Sequence, residues 1–385
     1  MYRYLTAALL ATVIPSSFGY NLVREHAGQN FFDGWNFYGG WDNLTNSQVW
    51  WLNEETATSA KLAYINDAGH AIMKVDNTSV LTQGQKRSTI RIESENLYDL
   101  GSVWVVDMVH MPFGCSVWPA FWTKGPVWPN NGEIDILEAI NLMTSNQMAL
   151  HTTQGCTHPA PPTGAQTSHN GGQDCGTGDG CTVQETADNS YGTGFNNAGG
   201  GVWATQFDAS GIFIWFWSRP NVPQNLQGAT SSTLDISSWG PPSASYASSA
   251  NCNVTEYFSP QQLIFDIALC GDWAGVDSIY RSQCGSAGPT GDCYQDMVLG
   301  PGSGKYDEAY FEVSYVRAYT DGTPTPTATP QTTVTSTALA TTTPSIAVNQ
   351  NTASSAGVES SPLLFTNMVV LAAGFAAAFY TLTLV

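Results

Sequence analysis

Short apolar or alternating runs recur along the middle of the chain, and clusters of Gly, Pro and Asn separate them. The clearest runs are "SVWVVDMVHM" (102–111), "GIFIWFWSR" (211–219), "QQLIFDIAL" (261–269) and "AYFEVSYVRAYT" (309–320). In the last run, Phe311, Val313 and Tyr315 alternate with the polar Glu312 and Ser314. Period-two alternation and short apolar runs between turn residues are typical of β-strands, so the pattern predicts many short strands.

The same pattern predicts one large all-β domain over residues 20–320. The sequence shows no long apolar stripe of helical period, which an amphipathic helix would need. Many short strands in one large domain favour a β-sandwich or a β-barrel. The long, Gly-rich stretch 152–201 is predicted to be a surface loop.

The charge balance of the chain limits its partners. Its formal net charge is -19, and only 12 Lys and Arg are spread over 385 residues without a basic cluster. This argues against nucleic-acid binding, because a phosphate backbone needs basic counter-charge. An acidic chain fits a neutral or basic partner, and 13 Trp leave aromatic side chains for a binding surface.

The N-terminal segment and the region after the domain have compositions typical of secreted proteins. Residues 1–19 have a basic start at Arg3, an apolar run and then small residues, which predicts a secretory signal peptide cut before Tyr20. Residues 321–360 are rich in Ser, Thr and Pro and have no charge from 322 to 358. We expect this stretch to be an extended stalk, because it cannot form a packed core.

The last segment, 361–385, is apolar and uncharged, and no Lys or Arg follows it. Small residues, "NTASSAG" (351–357), precede it, an order that predicts a GPI-attachment signal with the lipid near Asn351, Ser354 or Ser355. A single membrane-spanning anchor is the alternative. We therefore expect a secreted monomer, attached by lipid to the plasma membrane or incorporated into the cell wall.

The cysteines indicate disulfides. The chain has eight of them, an even number that fits a secreted protein: Cys115, Cys156, Cys175, Cys181, Cys252, Cys270, Cys284 and Cys293. Eight cysteines allow 105 pairings, so no pairing is assigned. A zinc site is the alternative for five nearby residues, but their spacing matches no finger or knuckle: Cys156, His158, His169, Cys175 and Cys181. Asn43, Asn77 and Asn253 lie in glycosylation sequons.

The stretch "NNGEIDILEAIN" (130–141) places Glu133, Asp135 and Glu138 together in a chain with only 11% charged residues. On a helix, the first two would point about 160° apart, so no helical face holds all three. On a regular strand, Glu138 would point away from the other two. One bulge residue between Asp135 and Glu138 brings all three acids to the same side, and bulges are common near active sites.

Three acids on one face suit glycoside hydrolysis. The retaining reaction needs a carboxylate nucleophile and a carboxylic acid about 5–5.5 Å apart. The charge of Asp135 would raise the pKa of its neighbours, so that one Glu stays protonated as the acid. The alternative is an exposed acidic helix, because short apolar runs are ambiguous.

Aromatic residues near the acids favour the first interpretation. Trp118, Trp122 and Trp128 precede the acids within fifteen residues, and sugar rings stack on aromatic planes. We expect at least one of these three to belong to the core, as most Trp residues do. In "MALHTT", His151 lies on the next predicted strand, either beside the acids as a hydrogen-bond partner or in a structural role.

These motifs, "WPAFW", "GEIDILE" and "HTT", resemble the laminarinase-type branch of glycoside hydrolase family 16, and the resemblance covers about residues 20–320. It implies a concanavalin A-like β-jelly-roll sandwich with a concave substrate cleft. It also implies retaining hydrolysis of β-1,3 or mixed β-1,3/1,4 glucans without a required cofactor. Some relatives bind a structural calcium, but no compact ligand run indicates one here.

The resemblance also assigns roles to residues. Glu133 matches the nucleophile, Asp135 matches the carboxylate that assists it, and Glu138 matches the acid/base. His151 matches a histidine that lies beside the acid/base. The aromatic residues that match the cleft are Trp118, Trp122, Trp128 and Trp273.

Two other functions remain open from the sequence. A cell-wall transglycosylase would use the same glycosyl-enzyme intermediate and pass the sugar to another sugar instead of water. A non-catalytic glucan-binding protein could use the same scaffold, although Glu133 and Glu138 are both present.

Overall fold

A computed structural model describes residues 19–187, 189–227 and 230–322. The predicted signal peptide (1–19) falls almost wholly outside these residues, as does the stalk (321–360). The predicted GPI signal and its attachment sites, Asn351, Ser354 and Ser355, lie entirely outside them. These three predictions therefore stay predictions.

Strands account for most of the regular structure in the described residues. The first half of the chain contains β1 (Tyr20–Ala27), β2 (Trp35–Phe37), β3 (Gly40–Trp41), β4 (Val49–Trp51), β5 (Ala63–Ile65), β6 (Ala71–Lys74), β7 (Val80–Leu81), β8 (Arg87–Thr89), β9 (Arg91–Tyr98), β10 (Ser102–His110), β11 (Val117–Lys124), β12 (Glu133–Glu138) and β13 (Gln147–His151). The second half contains β14 (His169–Asn170), β15 (Cys181–Gln184), β16 (Gly201–Asp208), β17 (Gly211–Ser218), β18 (Thr233–Leu234), β19 (Ala244–Ala247), β20 (Gln261–Leu269), β21 (Gly300–Pro301) and β22 (Tyr310–Thr320).

Helices are short in the described part of the chain. They are α1 (Glu54–Ser59), α2 (Gly192–Asn197), α3 (Val254–Tyr257), α4 (Gly271–Ala274) and α5 (Asp277–Cys284), with 3-10 turns at Gly28–Asn30, Arg219–Asn221 and Gln224–Leu226 and a π-helical turn at Tyr294–Val298. None of these described helices has the length and apolar character needed to cross a membrane.

Two large sheets form the domain. One runs β18-β1-β22-β10-β16-β17-β19, with β6 also paired to β22 and β5 to β6, and the other runs β14-β15-β13-β12-β11-β20-β9-β2. Their facing side chains meet in one core, where the rings of Phe265 and Phe311 lie 5.3 Å apart across the two sheets. The predicted all-β sandwich is confirmed, and β10, β17, β20 and β22 lie where the four apolar runs predicted strands.

Alternation along β10 shows why the first sheet is apolar on both faces. Trp104 and Val106 point into the core between the sheets. Val103 and Val105 point to the opposite face and pack in a second cluster that includes Trp239 from the segment after β17. This segment therefore covers the outer face of the first sheet. The outer face of the second sheet is open and contains a cleft.

The prediction of a surface loop over 152–201 is wrong in part. This stretch contains β14, β15 and α2, and β15 pairs with β13 to extend the second sheet. Cys181 and Val183 are both buried in the core between the sheets. β15 is only four residues long and lies in a Gly-rich stretch, so the composition predicted a loop where the chain forms a strand.

All eight cysteines are paired, as the predicted disulfides require. The bonds are Cys115–Cys284, Cys156–Cys252, Cys175–Cys181 and Cys270–Cys293. The zinc alternative fails, because the three cysteines that it used are all in disulfides. The one group of potential metal ligands in the described chain, Cys156, His158 and Cys252, has both of its sulfurs in one disulfide.

Candidate active site

The acidic strand β12 lies near the middle of the second sheet, between β11 and β13, and it contains a β-bulge. Phe121 of β11 pairs with Leu137, and the next residue, Trp122, pairs with Asp135. Ile136 is therefore the extra residue, and the pairing with β13 also shifts between Asp135 and Glu138. The predicted bulge is confirmed, and the acidic-helix alternative is wrong.

Asn146 holds this bulge, and the sequence analysis did not find it. Its Oδ1 accepts a hydrogen bond from the backbone N of Glu138 at 2.8 Å. Its Nδ2 donates to the carbonyl of Ile136 at 3.0 Å. Asn146 is completely buried, so water does not compete for these bonds. A bulge leaves ladder groups unpaired, and this side chain satisfies two of them.

The bulged strand faces a cleft of about 740 Å³ on the open face of the second sheet. The cleft brings together every residue for which the sequence analysis proposed a role in catalysis or substrate binding: Glu133, Asp135, Glu138, His151, Trp118, Trp122, Trp128 and Trp273. A cleft of this kind, lined by aromatic rings with a few polar groups, is typical of ligand-binding sites.

Two tryptophans contact the outer acids directly. Trp118 Nε1 donates a hydrogen bond to Glu138 Oε1 at 2.7 Å, and Trp128 Nε1 donates to Glu133 Oε2. Trp273 packs edge-on against Trp118, with ring centroids 5.6 Å apart. Each Glu therefore has one carboxylate oxygen fixed by an indole that also forms part of the cleft wall.

Trp122 forms the floor of the cleft and is buried, as expected for at least one of the three upstream tryptophans. Its Nε1 donates to Asp266 Oδ2 at 3.0 Å, and the guanidinium of Arg91 lies 5.3 Å from its ring centroid. The sequence analysis missed Asp266 and Arg91, which also line the cleft. The sequence does mark Asp266 in one way, since it is the only charged residue in the apolar run of β20.

His151 lies on β13 opposite Glu133. Its Nε2 is 3.2 Å from Asp135 Oδ2. The loop closed by the Cys175–Cys181 disulfide packs against the imidazole ring. The contact is so close that only a glycine fits at position 180, because an added Cβ atom would lie 2.9 Å from His151 Nε2. The imidazole is therefore fixed beside the central acid and is not in hydrogen-bond contact with Glu138.

All three acids have raised pKa values. Burial raises the pKa of Glu133 to about 8, and the charge of Asp135 adds to this effect, while His151 opposes it. Burial, followed by the charge of Asp135, also raises the pKa of Glu138 well above its ordinary value. Burial raises the pKa of Asp135 itself, while its hydrogen bond with Glu133 lowers it. A desolvated group of three acids therefore retains protons at neutral pH.

Comparison with known proteins shows the family to which the chain belongs. A family model described as "XgeA-like, catalytic GH16 domain" matches residues 35–319. The chain belongs to glycoside hydrolase family 16. Among solved structures, Laminarinase 16A from Phanerochaete chrysosporium is 33% identical with a TM-score of 0.71, and the match covers 78% of this chain and 99% of that one.

A second solved member of family 16 is described as an elongating β-1,3-glucosyltransferase. It is 34% identical with a TM-score of 0.71, and the match covers 78% of this chain and 100% of that one. Both neighbours have the jelly-roll fold that the resemblance implied, and the described β-sandwich agrees with it.

Curated relatives include the endo-1,3(4)-beta-glucanase xgeA of Emericella nidulans, 36% identical over 324 residues. That match covers 82% of this chain and 50% of the relative. A probable endo-1,3(4)-beta-glucanase of Aspergillus niger is 36% identical over 321 residues, which are 82% of this chain and 42% of the relative. This chain thus spans about half the length of these relatives.

Proposed function

We propose that this family 16 protein is a retaining endo-hydrolase of β-1,3 or mixed β-1,3/1,4 glucans. The observation that carries the proposal is the bulged strand, which turns Glu133, Asp135 and Glu138 towards one cleft lined by tryptophans. The names of the glucanase relatives and of the laminarinase support the substrate class.

In the first step, the carboxylate of Glu133 attacks the anomeric carbon of the bound sugar. The glycosidic C–O bond breaks, and Glu138 donates its proton to the leaving oxygen. The raised pKa of Glu138 keeps this proton available near neutral pH. The product is a glycosyl ester on Glu133 and a released glucan chain with a new end.

In the second step, Glu138 takes a proton from water, and the oxygen of that water attacks the anomeric carbon. The ester bond to Glu133 then breaks, and both carboxyl groups return to their starting states. Glu133 can attack only when it is ionised. Asp135 therefore has to take the proton of Glu133 as the attack begins, and His151, whose Nε2 lies 3.2 Å from Asp135 Oδ2, helps to balance the charge of the group.

The tryptophans would bind the sugar and position the acids. Trp118 and Trp128 each hold a carboxylate oxygen through the indole N–H, so their ring faces remain available to sugar C–H groups. Trp122 and Trp273 extend this apolar surface along the cleft. The two-carboxylate reaction itself requires no cofactor.

Transglycosylation is the second candidate, and one observation favours it. The elongating glucosyltransferase is as similar to this chain as the laminarinase is, by identity and by TM-score. A transferase would form the same ester on Glu133, and the hydroxyl of a second glucan chain would replace water in the second step.

The location of the protein is part of the proposal. We propose secretion with removal of residues 1–19, and attachment through the stalk and a lipid anchor to the plasma membrane or cell wall. The composition of these segments supports this proposal, and wall glucan would then be the natural substrate. We expect the protein to act as a monomer without nucleic acid.

The test follows the products that the purified protein forms from a β-1,3-glucan, a mixed-linked glucan and defined oligosaccharides. We expect new internal chain ends, which are lost in Glu133→Gln and Glu138→Gln but kept in Glu55→Gln, a control at an exposed Glu of α1. Glucosides with an activated leaving group separate the two roles, because Glu138→Gln should still form the ester on them and Glu133→Gln should not.

Each other outcome has a definite meaning. Oligosaccharides that grow longer would assign transfer instead of hydrolysis. Glucan binding without any new ends would assign a non-catalytic binding protein. Full activity in either Gln variant would overturn the site.

A further inference from the structure

Two exposed tryptophans lie on a small sheet at the edge of the domain. This sheet has the order β3-β4-β8, and Trp41 of β3 pairs directly with Trp50 of β4. Trp41 is 58% exposed and Trp50 is 49% exposed, which makes them the two most exposed tryptophans in the described chain. Paired residues on antiparallel strands project from the same face, so the two indoles lie on one face of this small sheet.

A glycosylation sequon begins two residues after Trp41, in the order Trp41-Asp42-Asn43-Leu44-Thr45. Asn43 is exposed like Trp41, whereas Asp42 between them is 2% exposed. In an extended segment, alternate side chains point to the same side. Trp41 and Asn43 therefore both face solvent, while Asp42 points inwards.

The amide of Asn43 is oriented with its nitrogen free. Its Oδ1 accepts a hydrogen bond from the Tyr38 hydroxyl at 2.9 Å, and its Nδ2 donates to no group in the described chain. The sequon at Asn77 differs, because Asn77 Nδ2 donates to Asp307 Oδ1 at 2.8 Å. The folded protein thus leaves the atom that would carry a glycan at Asn43 facing solvent beside Trp41.

The four disulfides are a second, independent observation. Disulfides form in the oxidising secretory compartment, where N-linked glycans are also added. In a eukaryotic cell, a chain that acquires its disulfides in this compartment also meets the machinery that reads this sequon.

We propose that Asn43 carries an N-linked glycan whose first N-acetylglucosamine packs on Trp41, with Trp50 beside it. In the transfer, Asn43 Nδ2 loses a proton and bonds to C1 of that sugar, and the lipid diphosphate of the oligosaccharide donor leaves. The apolar C–H face of the sugar then covers an indole that the polypeptide leaves exposed. The proposal does not depend on the glucanase activity.

The position of Asn43 has a consequence for the cleft. Its neighbours Asp42, Leu44 and Thr45 line the cleft, so a glycan at Asn43 starts at the cleft rim. Trp50 points away from the cleft, whereas the adjacent Trp51 lines it. Packing on Trp41 and Trp50 therefore draws the glycan to the outer face and leaves the rim open.

The test uses the full chain secreted from a eukaryotic host. Mass spectrometry of the peptide that contains Asn43 should find it glycosylated. Thermal unfolding then compares wild type, Asn43→Gln, Trp41→Ala and the double variant. We expect Asn43→Gln to lower the Tm by about 2–4 °C, the size of a modest contact in a domain of this length, and to have no effect when Trp41 is already Ala.

Two controls isolate the contact. Tyr64→Ala, at another exposed aromatic residue, should leave the effect of Asn43→Gln unchanged. An endoglycosidase that leaves only the first N-acetylglucosamine should not change the Tm. An unmodified Asn43, or a glycan effect that survives Trp41→Ala, overturns the proposal. Glucan binding by Asn43→Gln that requires Trp41 would also overturn it, because these tryptophans would then bind substrate.

Discussion

The site buries three carboxyl groups, those of Glu133, Asp135 and Glu138, and it cannot hold all three in the ionised form at once. Each proton that leaves the group makes the next one harder to remove, so the three carboxyl groups titrate as a set and not singly. This behaviour keeps protons on both Glu residues at neutral pH, so Glu138 can act as the acid once Glu133 has passed its own proton to Asp135. It also makes two predictions about pH.

The first prediction concerns the charge of Asp135. In Asp135→Asn, the central negative charge is lost, so the pKa of Glu138 falls although burial still keeps it raised. We expect the alkaline limb of the kcat/KM profile to move to lower pH and kcat to fall, because Asn cannot take the proton from Glu133. The pH profile of purified protein measures this, with Glu55→Gln as the control. An unmoved alkaline limb would show that Asp135 does not set the pKa of the acid/base.

The second prediction concerns the stability cost of Glu133. Its pKa of about 8 in the folded protein lies above the ordinary value of 4.5. Between these pH values the unfolded chain releases the proton and the folded chain keeps it, so stability falls as pH rises. Glu133→Gln removes this loss. We expect the variant to be about 1–3 kcal/mol more stable than wild type at pH 8, with no such gain near pH 4.

Urea unfolding at the two pH values measures this difference. Glu55→Gln should show no pH-dependent gain, because its side chain is exposed. An equal gain for Glu133→Gln at both pH values would indicate that the effect comes from packing, and the raised pKa would then be wrong.

At the scale of the element, the bulge in β12 decides which way Glu138 points. The buried side chain of Asn146 supports the bulge, because it hydrogen-bonds to the carbonyl of Ile136 and to the backbone N of Glu138. We expect Asn146→Ala to lower kcat by about a hundredfold, because misplacing a reacting group by about 1 Å can cost this much. We also expect a loss of about 1–3 kcal/mol of stability, the cost of leaving buried polar groups unpaired.

Asn146→Asp provides the sharper comparison for this prediction. An Asp at this position can still accept from the backbone N of Glu138 but cannot donate to the carbonyl of Ile136 when ionised. We expect intermediate activity. The exposed Asn251→Ala should match wild type. If Asn146→Ala lost stability but kept kcat, the bulge would hold its shape without this side chain.

The same element shows what the sequence can predict and what it cannot. The spacing of Glu133, Asp135 and Glu138 was enough to predict the bulge, because side-chain direction on a strand follows a fixed period. The support from Asn146 was not predictable, since it depends on how β13 approaches β12. Arg91 and β15 were missed for the same reason, because strand order and tertiary packing decide what each one contacts.

At the scale of the whole molecule, two disulfides tie the helical wall of the cleft to the sheets. Cys115–Cys284 fixes the end of α5, and Cys270–Cys293 closes the segment that carries Trp273. The ladder of the second sheet does not reach α4 and α5, so this wall depends on the cross-links more than the cleft floor does. The hydrogen-bonded strands of the second sheet therefore hold the floor of the cleft, and the two disulfides hold its helical wall.

The length of the cross-linked loops predicts which bond matters most for stability. Cys115 and Cys284 are 169 residues apart, and Cys175 and Cys181 are only 6 apart. Closing a longer loop removes more entropy from the unfolded chain, although Cys156–Cys252 already shortens the longer one. We expect replacement of Cys115 and Cys284 by Ala to cost about 2 kcal/mol more than replacement of Cys175 and Cys181, measured by urea unfolding. An equal loss would mean that native packing around each bond, and not chain entropy, determines its contribution.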